Sequence, residues 1–537
     1  MPNIIIHFFL FAFIIVSNGF IFFRLIFLKN LTINLFEVSI LGMMVTGFLA
    51  QVINFFIPLS DLVIFFNLFT NIVILAIYKK KRFLNFNKYT VAILAAMLIL
   101  CFSQIYGSGF SDDLAHYHGG QIINSDNSKY ILGVNFLHHH YGYGSIWLLL
   151  HSYLNFNSTF LQDIHIVNAI TLFFILSYFI VEFLGIKKDS NKNTLYIILS
   201  VFIFFFLIKY TRLKEFGLDR PGILFFCFLT YLSFKYRQIT DAHRDSFVIL
   251  TLIISLFLTS IKLFFIFSFL IPLFLIFNFK NFKFFLKLEF TFFLFLAFCY
   301  FGKNILWTGC LIYPLYFTCF SGISWNSQDI AYNLFSWTGA HTKGFDSYTG
   351  ALSKAEYLAN FQWIPTWFAI VSEELLTYLG ISAFIIFVIF ISSKSLKNIP
   401  KKNLWEKLFF GALFLVNLLF FFKVPVIRYH HTLFLFFIIL FFTLVPKKFL
   451  FKQTFLYVII IIFFSFNLGK NFKRIYKDNF FNNPIQHLKK IGWHREPQLK
   501  KLNEFTYYKG WIGAYPVGNE SLDKYKYKKI FYDIIYK

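Results

Sequence analysis

Charge is scarce in this sequence. Only 14% of its 537 residues are Asp, Glu, Lys or Arg, against 58% hydrophobic, and the mean hydropathy is +0.65. That scarcity excludes a soluble domain, which could not hide runs such as "NIIIHFFLFAFIIVSNGFIFF" or "FLYVIIIIFFSFNL". A bilayer core takes about 20 apolar residues, so these runs read as spans. The five cysteines, most of them inside apolar runs, form no metal-type spacing. Cys310 and Cys319 share one loop and could pair if it is extracytoplasmic, although an odd count fits ordinary apolar cysteines as well. Repeats of 20–50 residues and low-complexity linkers are lacking, which argues against a solenoid. The first apolar run also lacks a basic n-region and a small-residue cleavage site, so it reads as a retained span.

What is present in excess is phenylalanine, 84 residues, and positive charge, a formal +25. Abundant Phe, Ile, Lys and Asn fit an AT-rich bacterial genome. The basic residues mostly flank apolar runs, as topology and anionic headgroups demand, which argues against a nucleic-acid partner. Hydropathy predicts an all-α polytopic membrane protein with about fourteen spans. Short basic connectors, "KKKR" at 79–82, "KKDSNKN", "KYRQITDAHRD", "KNFKFFLK", "KSLKNIPKK" and "PKKFLFK", are separated by even numbers of spans and all fit the cytoplasmic side. The alternation then places 107–160, 209–221, 303–365, the junction at Lys262, "KVPVIRYHH" and the tail on the opposite face. The predicted organisation is a multi-span domain over 1–469 and a small extracytoplasmic region over 470–537, in the bacterial inner membrane.

On that face lies "GFSDDLAHYH" at 109–118. An ionised Asp112 or Asp113 would cost about 2.5–3.5 kcal/mol at the bilayer centre, so both belong in water or a polar cleft. On a helix Asp112 shares a face with His116, and Asp113 with Tyr117. One reading is a solvated loop in which Ser111 or Asp112 caps a helix starting near Leu114. The other is a carboxylate that takes a proton from a hydroxyl, or, with Asp112 and His116 or His118, holds a divalent cation. The sequence requires no cofactor. Three consecutive histidines, His138 to His140, cannot all point one way on a helix, so one or two of them are expected to line a cleft. Trp147 is expected at headgroup level. Lys209, Arg212, Lys214, Arg220, Lys262 and Arg428 put positive charge where it is normally scarce; each could snorkel, but near a helix start such as Pro221 external cations suit a phosphate.

The ordered pieces "DLAHYH", "GVNFLHHHYGYGSIW", "FGLDRPGILFF", "LTSIKLFF", "WTGCLIYPLY" and "FKVPVIRYHH" resemble bacterial polytopic proteins of the glycosyltransferase C-type superfamily, over about 100–435. The family's Pro-Asp-x-Arg turn reads "PVIR" here, without the acid. The resemblance implies a sugar moved from a polyprenyl-phosphate-linked donor to a lipid or glycan acceptor on the extracytoplasmic face. It implies Asp113, with Asp112 beside it, as the catalytic base. Lys262, Arg220 and Arg428 would stabilise the departing lipid phosphate, and Tyr117, His118, His138 and Tyr313 would bind substrate. A transporter or flippase of a lipid-linked or envelope precursor is the alternative; it would carry inverted repeats and helices interrupted at mid-depth.

Overall fold

The computed structural model describes residues 2–23, 34–77, 88–108, 113–156, 163–186, 193–213, 217–237, 241–279, 283–396, 404–445, 448–451, 453–478, 498–502, 505–509, 517–518, 525–529 and 532–536. The chain is an α-helical bundle, as composition predicts. Among the described residues nine helices are long and apolar enough to cross a membrane. In chain order they are α1 (Pro2–Phe20), α2 (Leu35–Asn54), α4 (Lys88–Gly107), α7 (Ile166–Gly185), α10 (Asp241–Ile261), α12 (Leu288–Thr308), α15 (Ile364–Ile391), α16 (Leu404–Lys423) and α18 (Gln453–Asp478). Four shorter apolar stretches are α3 (Asp61–Ile77), α8 (Asn193–Lys209), a 3-10 turn running into α11 (Leu270–Phe279), and α17 (His431–Leu444). Between them stand α5 (Gly119–Asn127), α6 (Ile146–Tyr153), α9 (Asp219–Lys235), α13 (Gln328–His341) and α14 (Lys354–Leu358).

Helices apolar all round are either core or solvent-facing in lipid, and both kinds occur. α7 is 89% buried over its apolar window and forms the centre, whereas α18 is only 17% buried and shows Ile461, Ile462 and Phe466 outward. Close packing uses small residues: Gly19 of α1 and Gly42 of α2 meet where a Cβ would collide with backbone. Several buried amides bond one another or backbone carbonyls. Asn71 Nδ2 donates to Asn18 Oδ1 at 2.9 Å, and Gln104 Nε2 to the Tyr210 carbonyl at 2.8 Å. An unpaired amide in that interior would cost several kcal/mol.

The two ends of the bundle differ in chemistry. At one, Lys235 Nζ lies 2.8 Å from both Glu37 and Glu182, and Arg237 pairs with Glu406 at 3.0 Å. There β1 (Ser393–Leu396) pairs antiparallel with β2 (Lys448–Phe451), joining two of the basic connectors into one ribbon. At the other end His7 meets Asp163 at 2.9 Å, and the segments around Asp113, Asp219, Lys262 and Arg428 come together.

The region after α18 is not helical where described. It forms β3 (Gln498–Leu502), β4 (Phe505–Lys509) and β5 (Val517–Gly518) in one sheet, and β6 (Lys526–Lys529) with β7 (Asp533–Tyr536) in a hairpin. The β7 backbone brackets Leu132: the Leu132 N–H donates to the Asp533 carbonyl and the Ile535 N–H to the Leu132 carbonyl, both at 2.9 Å. Gly133, at φ +73°, permits that approach, since a Cβ there would strike the Ile535 carbonyl.

Candidate active site at the Asp113 end of the bundle

The centre of the site is an alternating row of charges. Asp219, at the start of α9, accepts from Lys262 Nζ at 2.6 Å and lies 3.7 Å from Arg428 Nε. Asp113 lies 3.9 Å from Arg428 NH1 at the end of that row. Lys262 sits 3.2 Å above the Tyr429 ring, and the Arg428 guanidinium lies 5.2 Å from the same ring. Four separate segments therefore converge. Each supplies its charge from a helix end or a short turn: Asp113 heads a π-turn over Leu114–His118, Lys262 follows α10, and Arg428 stands in the 3-10 turn between α16 and α17. Helix ends are where the backbone itself is incompletely bonded, so polar side chains collect there.

The two carboxylates are not equivalent. Asp219 is held by two cations, and its side chain is 25% exposed. Asp113 touches one cation beyond hydrogen-bonding distance and is 35% exposed. Of the two, Asp113 is the more exposed and the less engaged carboxylate. Arg428, 51% exposed, has guanidinium surface left for an anion.

Behind Asp113 stand Tyr117 and His118, with ring centroids 4.3 Å apart. Burial pushes the His118 imidazole down to about 4, with Lys262 and Arg428 adding to the effect and Asp113 and Asp219 opposing it. His118 is thus neutral at pH 7, and both its ring nitrogens are buried without a bonding partner among the described residues. Burial also raises the Tyr117 phenol well above its ordinary value, helped by Asp113, Tyr429 and Asp219, so it stays a hydroxyl.

The histidine run lies in a turn and not on an α-helix. His138 is extended and a 3-10 turn begins at His139, so helical geometry does not scatter the rings. His138 stacks on His139, His140 tilts against His139 with centroids 4.1 Å apart, and each offers one ring nitrogen within 4.8 Å of the others. The His140 ring lies 4.8 Å from Tyr117, which joins the trio to the site. Three imidazoles of this kind suit a borderline divalent metal such as zinc, although His138 Nδ1 accepts the His140 N–H at 3.2 Å and so has one nitrogen engaged.

The turn after the histidines is held from three sides. The Tyr313 hydroxyl donates to the His139 carbonyl at 2.9 Å and its ring fills the space beside Gly142. The buried Lys303 ammonium donates to the Gly144 carbonyl. Gly144 is left-handed at φ +51°, with the Trp307 ring where a Cβ would stand. Ser145 Oγ accepts from the Trp147 N–H and donates to the Ile261 carbonyl at 2.7 Å, tying the turn to the residue before Lys262. Tyr313 is therefore a support for the turn. Trp147 is fully buried, its indole N–H donating to Asn168 Oδ1 at 3.1 Å, rather than at headgroup level.

Of the expected site residues, the structure brings together Asp113, Tyr117, His118, His138, Lys262 and Arg428, with Tyr313 behind the histidine turn. Asp112 and the His116 side chain lie outside the described residues. Arg220 points elsewhere: its guanidinium lies 5.2 Å from the Tyr210 ring and lines a separate cleft with Arg212 and Asn168. The sequence reading enlisted neither Asp219 nor Tyr429 for the site; their neighbours Arg220 and Arg428 were the local signal.

The family described as Domain of unknown function (DUF8201) matches residues 1–435, and the chain belongs to it. That stretch contains every residue of the charge row. Neither a curated protein nor a solved structure matches the chain.

Proposed function

We propose that the chain is a membrane glycosyltransferase that moves a sugar from a polyprenyl-phosphate-linked donor to an envelope acceptor. The observation that carries this reading is the row Asp113–Arg428–Asp219–Lys262, in which a lightly held carboxylate and a half-exposed guanidinium lie side by side. Asp113 takes the proton of the acceptor hydroxyl as that oxygen attacks the anomeric carbon. The bond from that carbon to the phosphate oxygen breaks, and its electron pair stays with the phosphate. Arg428 meets the charge that develops there, with Lys262 behind it. Asp219 keeps both cations in place. Divalent metal enters the proposal only as an occupant of the histidine trio, and no step passes through it.

The site faces the exterior of the inner membrane in this reading. A disulfide between Cys310 and Cys319, on a loop at the Asp113 end, suits an oxidising compartment. The basic connectors joined by β1 and β2 suit the cytoplasm. In this reading the nine long apolar helices, the four shorter ones and α9 would all cross the membrane.

The test is mass spectrometry of envelope glycolipids and glycans from a deletion strain complemented with wild type or Asp113→Asn. Loss of a general base lowers rate by about 10²–10⁴-fold, so only the wild type should restore a missing sugar increment. Full restoration by Asp113→Asn at matched expression removes Asp113 from the chemistry. A deletion strain with unchanged glycans and a lipid-linked precursor trapped on the cytoplasmic leaflet would replace the transferase with a flippase.

A further inference from the structure

His138, His139 and His140 form a ligand set of a single chemical kind. One ring nitrogen of each lies within 4.8 Å of those of the other two, and among the described residues the group contains no carboxylate or thiol. Imidazole nitrogens favour a borderline ion such as Zn²⁺ over Mg²⁺ or Ca²⁺, which take oxygen ligands. With Zn–N bonds of about 2.0–2.1 Å, tetrahedral ligand atoms stand about 3.4 Å apart. The widest pair therefore has to close by no more than about 1.4 Å. Ring rotations about the side-chain torsions supply that without moving the backbone.

The backbone under these rings is fixed, which separates the run from a loose histidine-rich loop. The Tyr141 N–H donates to the His138 carbonyl at 2.9 Å, and the Gly144 N–H to the Tyr141 carbonyl at 3.1 Å. Tyr313 holds the His139 carbonyl, Lys303 the Gly144 carbonyl, and Ser145 ties the end of the turn to α10. A turn pinned by α10, α12 and the loop after α12 has little order left to lose when a ligand arrives. The surroundings grade from dry to wet. His138 and Tyr141 are buried, whereas His139 and His140 are half-buried and leave a way in for an ion and a fourth ligand. Rings enclose the set: Tyr141 lies 5.1 Å from His138, and Tyr117 and Tyr143 lie 4.8 Å and 5.7 Å from His140. Such a shell limits solvent access and strengthens ligand bonds. The neighbouring charge row sets two carboxylates against two cations, so a dication beside it meets no net like charge.

We propose that His138, His139 and His140 bind a zinc-class divalent ion, with its fourth tetrahedral position open to an oxygen ligand. The inference goes beyond the transferase reading and does not rest on it. Ligation replaces bonds that the turn makes without the ion. His138 Nδ1 accepts the His140 N–H at 3.2 Å, the long end of the hydrogen-bond range, and gives that bond up to the metal. The ion is separate from any cation at Asp113, whose carboxylate faces Arg428.

The experiment uses full-length protein in mild detergent, purified through a tag without histidines. Zinc chloride is added, free metal is removed by gel filtration, and bound zinc is counted by plasma mass spectrometry. The variants are His139→Gln, His140→Gln and Asp113→Asn, and an unchanged thermal midpoint of the metal-free protein confirms folding. Wild type should keep about one zinc per chain. Affinity, read by competition with a fluorescent chelator, should fall by more than about 100-fold in either histidine variant, beyond the loss that follows removal of a supporting group. Asp113→Asn should bind zinc as wild type does, and excess Mg²⁺ should not displace it. Co²⁺ in place of zinc reads the geometry without any substitution: strong visible bands of a four-coordinate centre are expected, and weak six-coordinate bands overturn the site. Zinc lost from wild type on gel filtration overturns it, as does equal retention in both histidine variants. Loss in Asp113→Asn with retention in His140→Gln, or displacement by Mg²⁺, assigns the ion to the charge row and overturns it too. Retained zinc with unchanged glycans on deletion keeps the metal site and refutes only the transferase.

Discussion

Replacing Asp219 with Asn keeps the side chain's shape and removes the charge between Lys262 and Arg428. At 2.6 Å from Lys262 the Coulomb attraction is about 6 kcal/mol at an effective dielectric constant of 20, and about 1.6 kcal/mol in bulk water. Both side chains are 25% exposed, so the interior value is nearer, but desolvation offsets most of it. Charge-assisted hydrogen bonds in this position contribute about 1.5–3 kcal/mol net, and we expect Asp219→Asn to lower stability by about 2 kcal/mol. The variant also leaves Lys262 and Arg428 facing one another with Asp113 as the remaining anion. Lys262→Met should cost less, because Arg428 still balances Asp219 at 3.7 Å. Combining the two should restore about 1 kcal/mol or more relative to the sum of the singles. The assay is equilibrium unfolding in mixed micelles with added denaturing detergent, run as a double-mutant cycle. Additivity within about 0.3–0.5 kcal/mol would mean that the two residues do not interact, and the charge row would fall with it.

His118 gives a pH dependence with a defined sign. Its ordinary value is 6.5 and burial lowers it to about 4, so between those values the unfolded chain binds a proton that the folded one does not. The His118 contribution is therefore at its full value above pH 6.5, falls as pH drops towards 4, and levels off below. The loss is about 3 kcal/mol over the window, and His118→Asn should flatten the acid limb of a stability-against-pH curve by about that amount. An unchanged acid limb would place His118 in contact with water. The Cys310–Cys319 pair closes a loop of nine residues' separation, so Cys310→Ser with Cys319→Ser should cost about 2–3 kcal/mol of loop stability. Maleimide labelling of wild type should reach those two thiols only after reduction; labelling before reduction would show them free in the mature protein.

How much of this was legible beforehand differs between fold and site. Span positions follow from local composition, since a bilayer-crossing helix must be apolar along its own length. The basic connectors could be grouped on one side by counting, and two of them prove to be neighbours in the β1–β2 ribbon. Asp113, Lys262 and Arg428 were identifiable because polar residues between apolar runs are conspicuous. Their partners were not. Nothing in "FGLDRP" distinguishes an Asp that caps its helix from one that binds Lys262, 43 residues on.

The histidine run and Arg220 show why. A helical wheel scatters three consecutive side chains, but a 3-10 turn held by Tyr313, Lys303 and, through Ser145, Ile261 gathers them, and those anchors come from the loop after α12, α12 itself and the end of α10. Arg220 and Asp219 are adjacent in sequence yet serve separate charge clusters, because successive residues at a helix start project in different directions. The sequence by itself therefore determined that this chain is helical, with helices long and apolar enough to cross a membrane and polar segments between them. Only the tertiary structure decided which charges meet, since a charge's partner depends on distances set by the packing of helices far apart in the chain.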